Sequence, residues 1–383
     1  MNKKIIIYTG FFLPYLGGVE RYTDKLSTEL HKLGFDVIIV TSKHDEKLQS
    51  FEKRDLYTIY RLPIRNIFKN RYPIFIKNKE YKKQIENIQK ENADFVIVNT
   101  RFHLTSLIGA KLAKKQNKPV FLIEHGTNHF TVNNKILDWL GHIYEHMLTN
   151  KVKKYVDRYY GVSKACNKWL EHFNIQASGV IYNCINTNDG NIEKSKTYNE
   201  KYSKNEIIIS CAGRLIKEKG ILNLVQAFLI LKEKHNNIRL VIAGDGDLLP
   251  ELQNKYKDDK IDLLGKIEFK DIMSLYERTD IFVHPSLYPE GLPTVILEAG
   301  LMECAIIATP RGGTIEVIID DEYGLVIEGT IDSLKKALEK LINSSEDRKI
   351  MAENLKNRIK NNFNWEKMAL FVSDELKKME ENR

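Results

Sequence analysis

Two kinds of segment alternate along this chain: short runs of consecutive apolar residues, and stretches whose apolar positions recur every three or four residues. The first run, residues 4–9, has the uniform apolarity of a strand buried on both faces. A loop over 10–18 follows, and Val19, Tyr22, Leu26, Leu30 and Leu33 then recur at helical spacing. Gly34 stands where a helix ends in a left-handed residue. Residues 36–41 supply the next strand and complete a β-loop-α-β unit. Further buried strands are predicted at 95–99, 119–124 and 158–162, each followed by a helical pattern.

The pattern pauses in a polar stretch rich in Asn, Lys, Ser and Glu, then restarts with strands at 206–212, 238–243, 261–264, 281–284 and 305–309. Strands that alternate with helices in this way build parallel sheets with helices on both faces. The expected fold class is α/β, with two Rossmann-like domains facing across a cleft. The boundaries read as 1–182 for the first domain, 183–205 for a linker and 206–364 for the second domain. An amphipathic segment over 365–383 ends the chain.

Composition narrows the partners. At 383 residues the chain is long enough for two domains with their own cores. It carries 59 Lys and Arg against 51 Asp and Glu, a net charge of +8. That suits anionic small molecules or a membrane surface, and without an aromatic-basic motif it does not point to nucleic acid. Cys166, Cys184, Cys211 and Cys304 lie far apart, which argues against a disulfide framework or a cysteine zinc site and fits a reducing compartment. The N-terminal apolar run carries Tyr8, Thr9, Gly10 and Pro14 and passes straight into a charged helix, unlike a secretion signal. No apolar run is long enough for a membrane span. A soluble, cytoplasmic protein is expected.

The chemistry concentrates in loops that follow strands. In 288–300, Glu290 and Glu298 are separated by a Gly291-Leu292-Pro293-Thr294 turn and the opening of a helix. Pro293 suits a helix start, where its missing N–H costs nothing. Loops at the carboxyl ends of parallel strands, facing helix N-termini, are where such sheets hold phosphorylated ligands. Two carboxylates there suit hydroxyls on either side of a phosphate. Gly213-Arg214 follows another strand, with Lys219-Gly220 just beyond; a planar guanidinium and an ammonium together neutralise a diphosphate. Solvated surface charge is the competing reading of both. Gly17-Gly18 precede a helix and either admit a phosphate or sugar to backbone amides or make a tight turn. Gly244-Asp245-Gly246-Asp247 fails as a dinucleotide fingerprint, because Leu249 stands where the third glycine belongs. His125 ends a strand, and position alone leaves it equally structural or functional. Gly312-Gly313 lead to Glu316, a further acid or a capping group.

One segment, 61–83, is strongly basic. Arg61, Arg65, Lys69, Arg71, Lys77, Lys79, Lys82 and Lys83 face a lone acid, Glu80, with Phe68, Tyr72, Ile74, Phe75 and Ile76 between them. It reads either as a solvated basic loop and helix or as a peripheral contact with anionic lipid at the inner face of the cell membrane.

Taken together, these residues resemble family 4 of the retaining glycosyltransferases, whose fold is called GT-B. The resemblance spans the chain and is most specific at 289–293 with Glu298, supported by Gly213-Arg214-Leu215, Lys219-Gly220, Gly312-Gly313 and Gly17-Gly18-Val19-Glu20. It implies a hexosyl- or N-acetylhexosaminyl-transferase that takes a nucleotide-diphosphate sugar to a glycan or lipid-linked acceptor, in polysaccharide or glycolipid synthesis, without metal or other cofactor. Arg214 and Lys219 would hold the diphosphate, Gly17 and Gly18 would close over it, and Glu290 would contact the sugar. Glu298 would bind the ribose, backbone at Lys266 and Ile267 would read the base, and His125 would sit beside the sugar. By the same analogy, 365–383 crosses back onto the first domain. The chain departs from the family at Asn183-Cys184-Ile185-Asn186, where an Asn-Gly-Val-Asp is usual, and at Glu303-Cys304-Ala305-Ile306. A sugar-nucleotide epimerase on the same fold and a non-catalytic nucleotide-sugar-binding protein are the alternatives.

Overall fold

The computed structural model describes residues 2–67, 72–131, 134–187, 190, 197–256 and 259–381. By internal contacts the chain divides into two compact units, Met1–Tyr182 with Trp365–Arg383, and Asn183–Asn364.

In the first unit, β1 (Lys4–Tyr8), β2 (Asp36–Lys43), β3 (Phe51–Lys53), β4 (Thr58–Ile67) and β5 (Tyr72–Phe75) come first. β6 (Phe95–Asn99), β7 (Val120–Glu124), β8 (Arg158–Gly161) and β9 (Gly179–Val180) follow. The order across the sheet is β3-β4-β2-β1-β6-β7-β8-β9, with β5 paired to β4. β3 and β5 run antiparallel to β4, and the other pairs are parallel. The connecting helices are α1 (Gly18–Lys32), α2 (Lys79–Lys90), α3 (Leu104–Lys115), α4 (Lys135–Val152) and α5 (Lys164–Glu171). Their starts are capped where the sequence allows it: the Asn78 side chain accepts from the Tyr81 N–H, and Ser163 from the Cys166 N–H. The chain winds outward from β1 through β2 to β4, then returns to β6 and winds the other way. Neighbouring loops after β1 and β6 therefore diverge, which opens a crevice at the carboxyl edge of the sheet.

The second unit repeats the plan. After a short α6 (Thr197–Lys201) come β10 (Ile207–Ala212), β11 (Ile238–Ala243), β12 (Ile261–Gly265), β13 (Ile281–His284), β14 (Ala305–Ala308) and β15 (Leu325–Val326). All pair in parallel, in the order β12-β11-β10-β13-β14-β15, so the reversal falls between β10 and β13. The helices are α7 (Ile221–Lys232), α8 (Leu249–Lys255), α9 (Phe269–Arg278), α10 (Thr294–Leu301), α11 (Thr314–Val317), α12 (Ile331–Asn343) and α13 (Ser345–Asn362). Ile209, Leu240, Ile242, Val283 and Ile307 point to one face, where Leu224, Phe228 and Leu231 of α7 and Leu334, Leu338 and Leu341 of α12 bury against them. Each such side chain contributes about 1.5–3 kcal/mol.

Helix α14 (Trp365–Glu381) belongs to the first unit. Its Glu375 accepts hydrogen bonds from the Tyr160 hydroxyl at 2.6 Å and from Arg158 at 2.8 Å, and the Trp365 ring meets Tyr22 edge-on at 5.0 Å. Both sheets have the doubly wound order expected of an α/β chain with Rossmann-like halves. No helix among the described residues is long and apolar enough to cross a membrane.

One stretch differs from the sequence expectation. The basic segment 61–83 is not a loop leading to a helix. Its described part is the second half of β4, then β5, then the start of α2. Arg61 is fully buried, its guanidinium 2.7 Å from Glu52 and bonded to the Gln49 and Leu13 carbonyls. Phe68, Lys69 and Arg71 lie outside the described residues. In the stretch 183–205, the Ile185 N–H donates to the Phe363 carbonyl at 2.9 Å, and Tyr198 and Tyr202 are buried.

Candidate active site

In the second unit, the loops that flank the strand-order reversal are locked together by backbone. Gly220, at φ +69°, comes so close to the loop after β13 that an added Cβ would stand 2.2 Å from the Pro285 carbonyl oxygen. The Leu287 N–H donates to the Glu218 carbonyl at 2.8 Å. On the other side, a Cβ on Gly244 would meet the Gly213 carbonyl oxygen at 1.8 Å, and the Leu215 N–H donates to Asp245 at 2.9 Å. The Gly244–Asp247 turn thus supports the 213–220 loop.

This framework brings Lys219, Glu290 and His284 together. Lys219 Nζ lies 2.6 Å from Glu290 Oε1, and His284 Nε2 lies 3.0 Å from the same oxygen. Burial alone would push the Glu290 carboxyl up, but the His284 hydrogen bond and charge and then Lys219 outweigh it, holding Glu290 well below the usual carboxylate range. The Tyr288 ring faces both cations, with the Arg214 guanidinium and Lys219 Nζ each 5.7 Å from its centre. Arg214 itself is exposed. His284 was the residue that sequence reasoning passed over. Its signal was a lone polar residue closing an otherwise apolar strand at the sheet's carboxyl edge.

The loop that carries Glu290 is fixed from behind. The Gly313 N–H donates to the Gly291 carbonyl at 2.7 Å, and the Asn183 side-chain amide donates to the Leu292 carbonyl at 2.9 Å. Gly312 is at φ +55°, and a Cβ there would stand 2.1 Å from the Glu290 carbonyl oxygen. Helix α10 starts at Thr294 with Pro293 as its N-cap, which brings no side-chain bond to the leading N–H groups. Glu298 lies on α10, half-buried. Lys266 and Ile267 follow β12 at Gly265 (φ +65°), Lys266 exposed and Ile267 half-buried. Taken alone, this unit offers two cations, a pinned carboxylate and a helix N-terminus at one crevice. That set suits a ligand with a diphosphate and neighbouring hydroxyls.

The other expected residues, Gly17, Gly18 and His125, belong to the first unit. Gly17 caps α1, and a Cβ on it would stand 2.3 Å from Glu20 Oε2, whereas a Cβ on Gly18 would meet open space. Glu20 is buried, and burial raises its carboxyl to about 7, partly offset by its own backbone N–H. His125 Nε2 lies 3.0 Å from Asn99 Oδ1, while the Asn99 amide donates to Thr23 Oγ1 at 2.9 Å. Asn99 therefore presents its oxygen, and His125 donates from Nε2 and keeps its lone pair on Nδ1. Burial, then the nearby His103, lowers this imidazole to about 3. That keeps it a neutral hydrogen-bonding group rather than a cation at ordinary pH. At the end of β6, Thr100 is held at φ +64°, a costly conformation for a β-branched residue, beside the reversal of strand order in this sheet.

Residues 16–189 match the family described as glycosyltransferase family 4, and residues 192–358 match glycosyl transferases group 1. An uncharacterised glycosyltransferase of Methanocaldococcus jannaschii is 31% identical over 377 residues, covering 95% of each chain. The phosphatidylinositol N-acetylglucosaminyltransferase GPI3 subunit of Saccharomyces cerevisiae is 23% identical over 96% of this chain and 81% of its own. Among solved structures, sucrose-phosphate synthase from Thermosynechococcus elongatus superposes with a TM-score of 0.80 at 18% identity over 100% of both chains. Anabaena HepE in complex with UDP-glucose gives 0.74 at 16% identity over 98% of this chain and 99% of its own. These likenesses establish the GT-B fold.

Proposed function

We propose, for a chain that belongs to the group 1, family 4 glycosyltransferases, that it is a retaining enzyme moving a sugar from a nucleotide-diphosphate donor to a glycan or lipid-linked acceptor. The observation that carries the reading is Lys219, Glu290 and His284 pinned at the strand-order reversal of the second unit, with Arg214 alongside. The Anabaena neighbour, solved with UDP-glucose, favours a uridine donor, and the yeast relative's name favours an N-acetylhexosamine and a lipid acceptor.

Departure of the nucleotide leaves negative charge on the diphosphate and positive character at the sugar's anomeric carbon. Arg214 and Lys219 stabilise the first, aided by the N-terminus of α10. Glu290, kept ionised by His284 and Lys219, orients the sugar through its hydroxyls. The acceptor oxygen bonds to the anomeric carbon on the face from which the phosphate departs. The acceptor's proton passes to the leaving phosphate oxygen. That step calls for no metal and leaves the anomeric configuration unchanged. Glu298 is assigned to the ribose, and the backbone at Lys266 and Ile267 to the base. In the first unit the proposed roles are backbone contact at Gly17 and Gly18 and a neutral hydrogen bond from His125 to a hydroxyl.

Incubation with UDP-, GDP- and ADP-sugars and polyprenyl-diphosphate glycan acceptors tests the reading. It predicts nucleotide diphosphate release that needs acceptor and a product with the donor's anomeric configuration by NMR. Conversion of donor without acceptor would favour an epimerase, and an inverted product would remove the retaining step.

Peripheral membrane contact belongs to the same proposal. Ile74 and Ile76 are exposed beside Lys77, Lys79, Lys82 and Lys83, and α4 exposes Ile136, Trp139, Leu140, Ile143 and Met147. Co-sedimentation with phosphatidylglycerol vesicles but not phosphatidylcholine vesicles is expected.

A further inference from the structure

Three histidines of the first unit come from separate elements and converge. His129 is on the loop that follows β7, four residues beyond His125; His146 is on α4; His172 caps the end of α5. One ring nitrogen from each lies within 4.8 Å of the other two. The ring centres form a nearly equilateral triangle, with sides of 5.5, 5.2 and 5.1 Å. The Nε2 atoms of His146 and His172 are 3.2 Å apart.

We infer that His129, His146 and His172 form a binding site for a divalent transition metal of the zinc class, which ties the His125 loop to α4 and α5. Nitrogens bound to one tetrahedral zinc at about 2.1 Å stand about 3.4 Å apart, close to the separation of the His146 and His172 nitrogens. The second shell is in place as well. Glu145 Oε2 lies 2.9 Å from His129 Nδ1, so Nδ1–H donates to this carboxylate and the lone pair is left on Nε2. Glu145 is itself fixed by the fully buried Arg101 at 2.8 Å, and its Oε1 accepts the Phe130 N–H at 2.6 Å. Trp169 stacks flat on His172 at 4.8 Å and meets His129 edge-on at 5.0 Å, which restrains both rings. His172 is exposed and gives the ion a way in.

Three imidazoles leave a fourth position for water, the donor set of an open zinc site. The role that follows is bracing. The ion would cross-link three elements around the 125–130 loop, whose first residue hydrogen-bonds Asn99. The site goes beyond the proposed sugar transfer and stands or falls independently of it.

The test begins with the full-length protein stripped by EDTA and titrated with zinc chloride alone, with metal content measured after dialysis. One zinc per chain, a higher melting temperature and slower amide exchange over 125–131 are expected. His172→Ala, at an exposed position, and His146→Gln should each weaken zinc by about tenfold or more while circular dichroism stays unchanged. Cobalt should give the visible absorption of a four-coordinate site with three nitrogen ligands and water in the wild type and lose it in both variants. No zinc uptake, or zinc held equally well by both variants, overturns the inference.

Discussion

The two units share a sheet plan, yet their candidate site residues treat charge in opposite ways. In the second unit the acid at the crevice, Glu290, is half-buried with Lys219 and His284 against it and is held ionised. In the first unit Glu20 is buried with no comparable cation among the described residues and rises to about 7, and His125 falls to about 3. Burial raises an acid and lowers an imidazole alike, because it disfavours whichever form is charged; a partner reverses the sign. The candidate residues of the second unit are therefore fixed charges, suited to a diphosphate, and Glu20 and His125 of the first are neutral polar groups, suited to hydroxyls.

The largest expected effect comes from taking the cation out of the charged cluster. Lys219→Ala should lower transfer by on the order of 10²–10³-fold, measured as nucleotide diphosphate release at saturating acceptor. Wild-type rates would end the contrast between the units. Next is the support behind Glu290. Gly312→Ala forces a Cβ into φ +55° and against the Glu290 carbonyl, so it should destabilise by about 2–3 kcal/mol in urea unfolding. Gly18→Ala, whose Cβ meets open space, should change stability by less than about 0.5 kcal/mol.

A smaller effect probes the neutral side. The folded chain keeps a proton on Glu20 that the unfolded chain releases near 4.5. Stability from this source is full below pH 4.5 and is lost as pH rises through about 7. Glu20→Gln should therefore stabilise by about 1–3 kcal/mol at pH 8 and by little at pH 4.5. An equal change at both pH values would show that burial does not govern Glu20. The smallest effect is at Tyr288→Leu, which should cost about 0.5–1 kcal/mol of donor affinity by removing the ring that faces Arg214 and Lys219. A loss as large as that of Lys219→Ala would mean that the ring, not the cation, dominates.

Most of the fold was legible because its central strands are buried on both faces and read as uniform apolar runs; 95–99, 238–243 and 281–284 end where β6, β11 and β13 end. β4 was not legible, since Arg61, Pro63 and Arg65 break its apolar run. Its buried arginine is stable through Glu52, a partner on β3 that spacing along the chain does not announce. At the site, Glu290, Lys219 and Arg214 were legible because each follows a strand in a glycine turn. His284 was passed over because it closes a buried strand and no glycine turn marks it. The charge state of Glu20 depends on what surrounds it, which one-dimensional pattern does not carry. The three converging histidines were invisible for the same reason, being supplied by three elements at 129, 146 and 172.

The central claim is that the second unit holds the donor's diphosphate between Arg214 and Lys219. Calorimetric titration of UDP-, GDP- and ADP-sugars into wild type, Arg214→Ala and Lys219→Ala tests it most directly. Saturable binding of one nucleotide sugar is expected, weakened by about tenfold or more in each variant. Equal affinity in all three proteins, or binding of none of the donors, would contradict it.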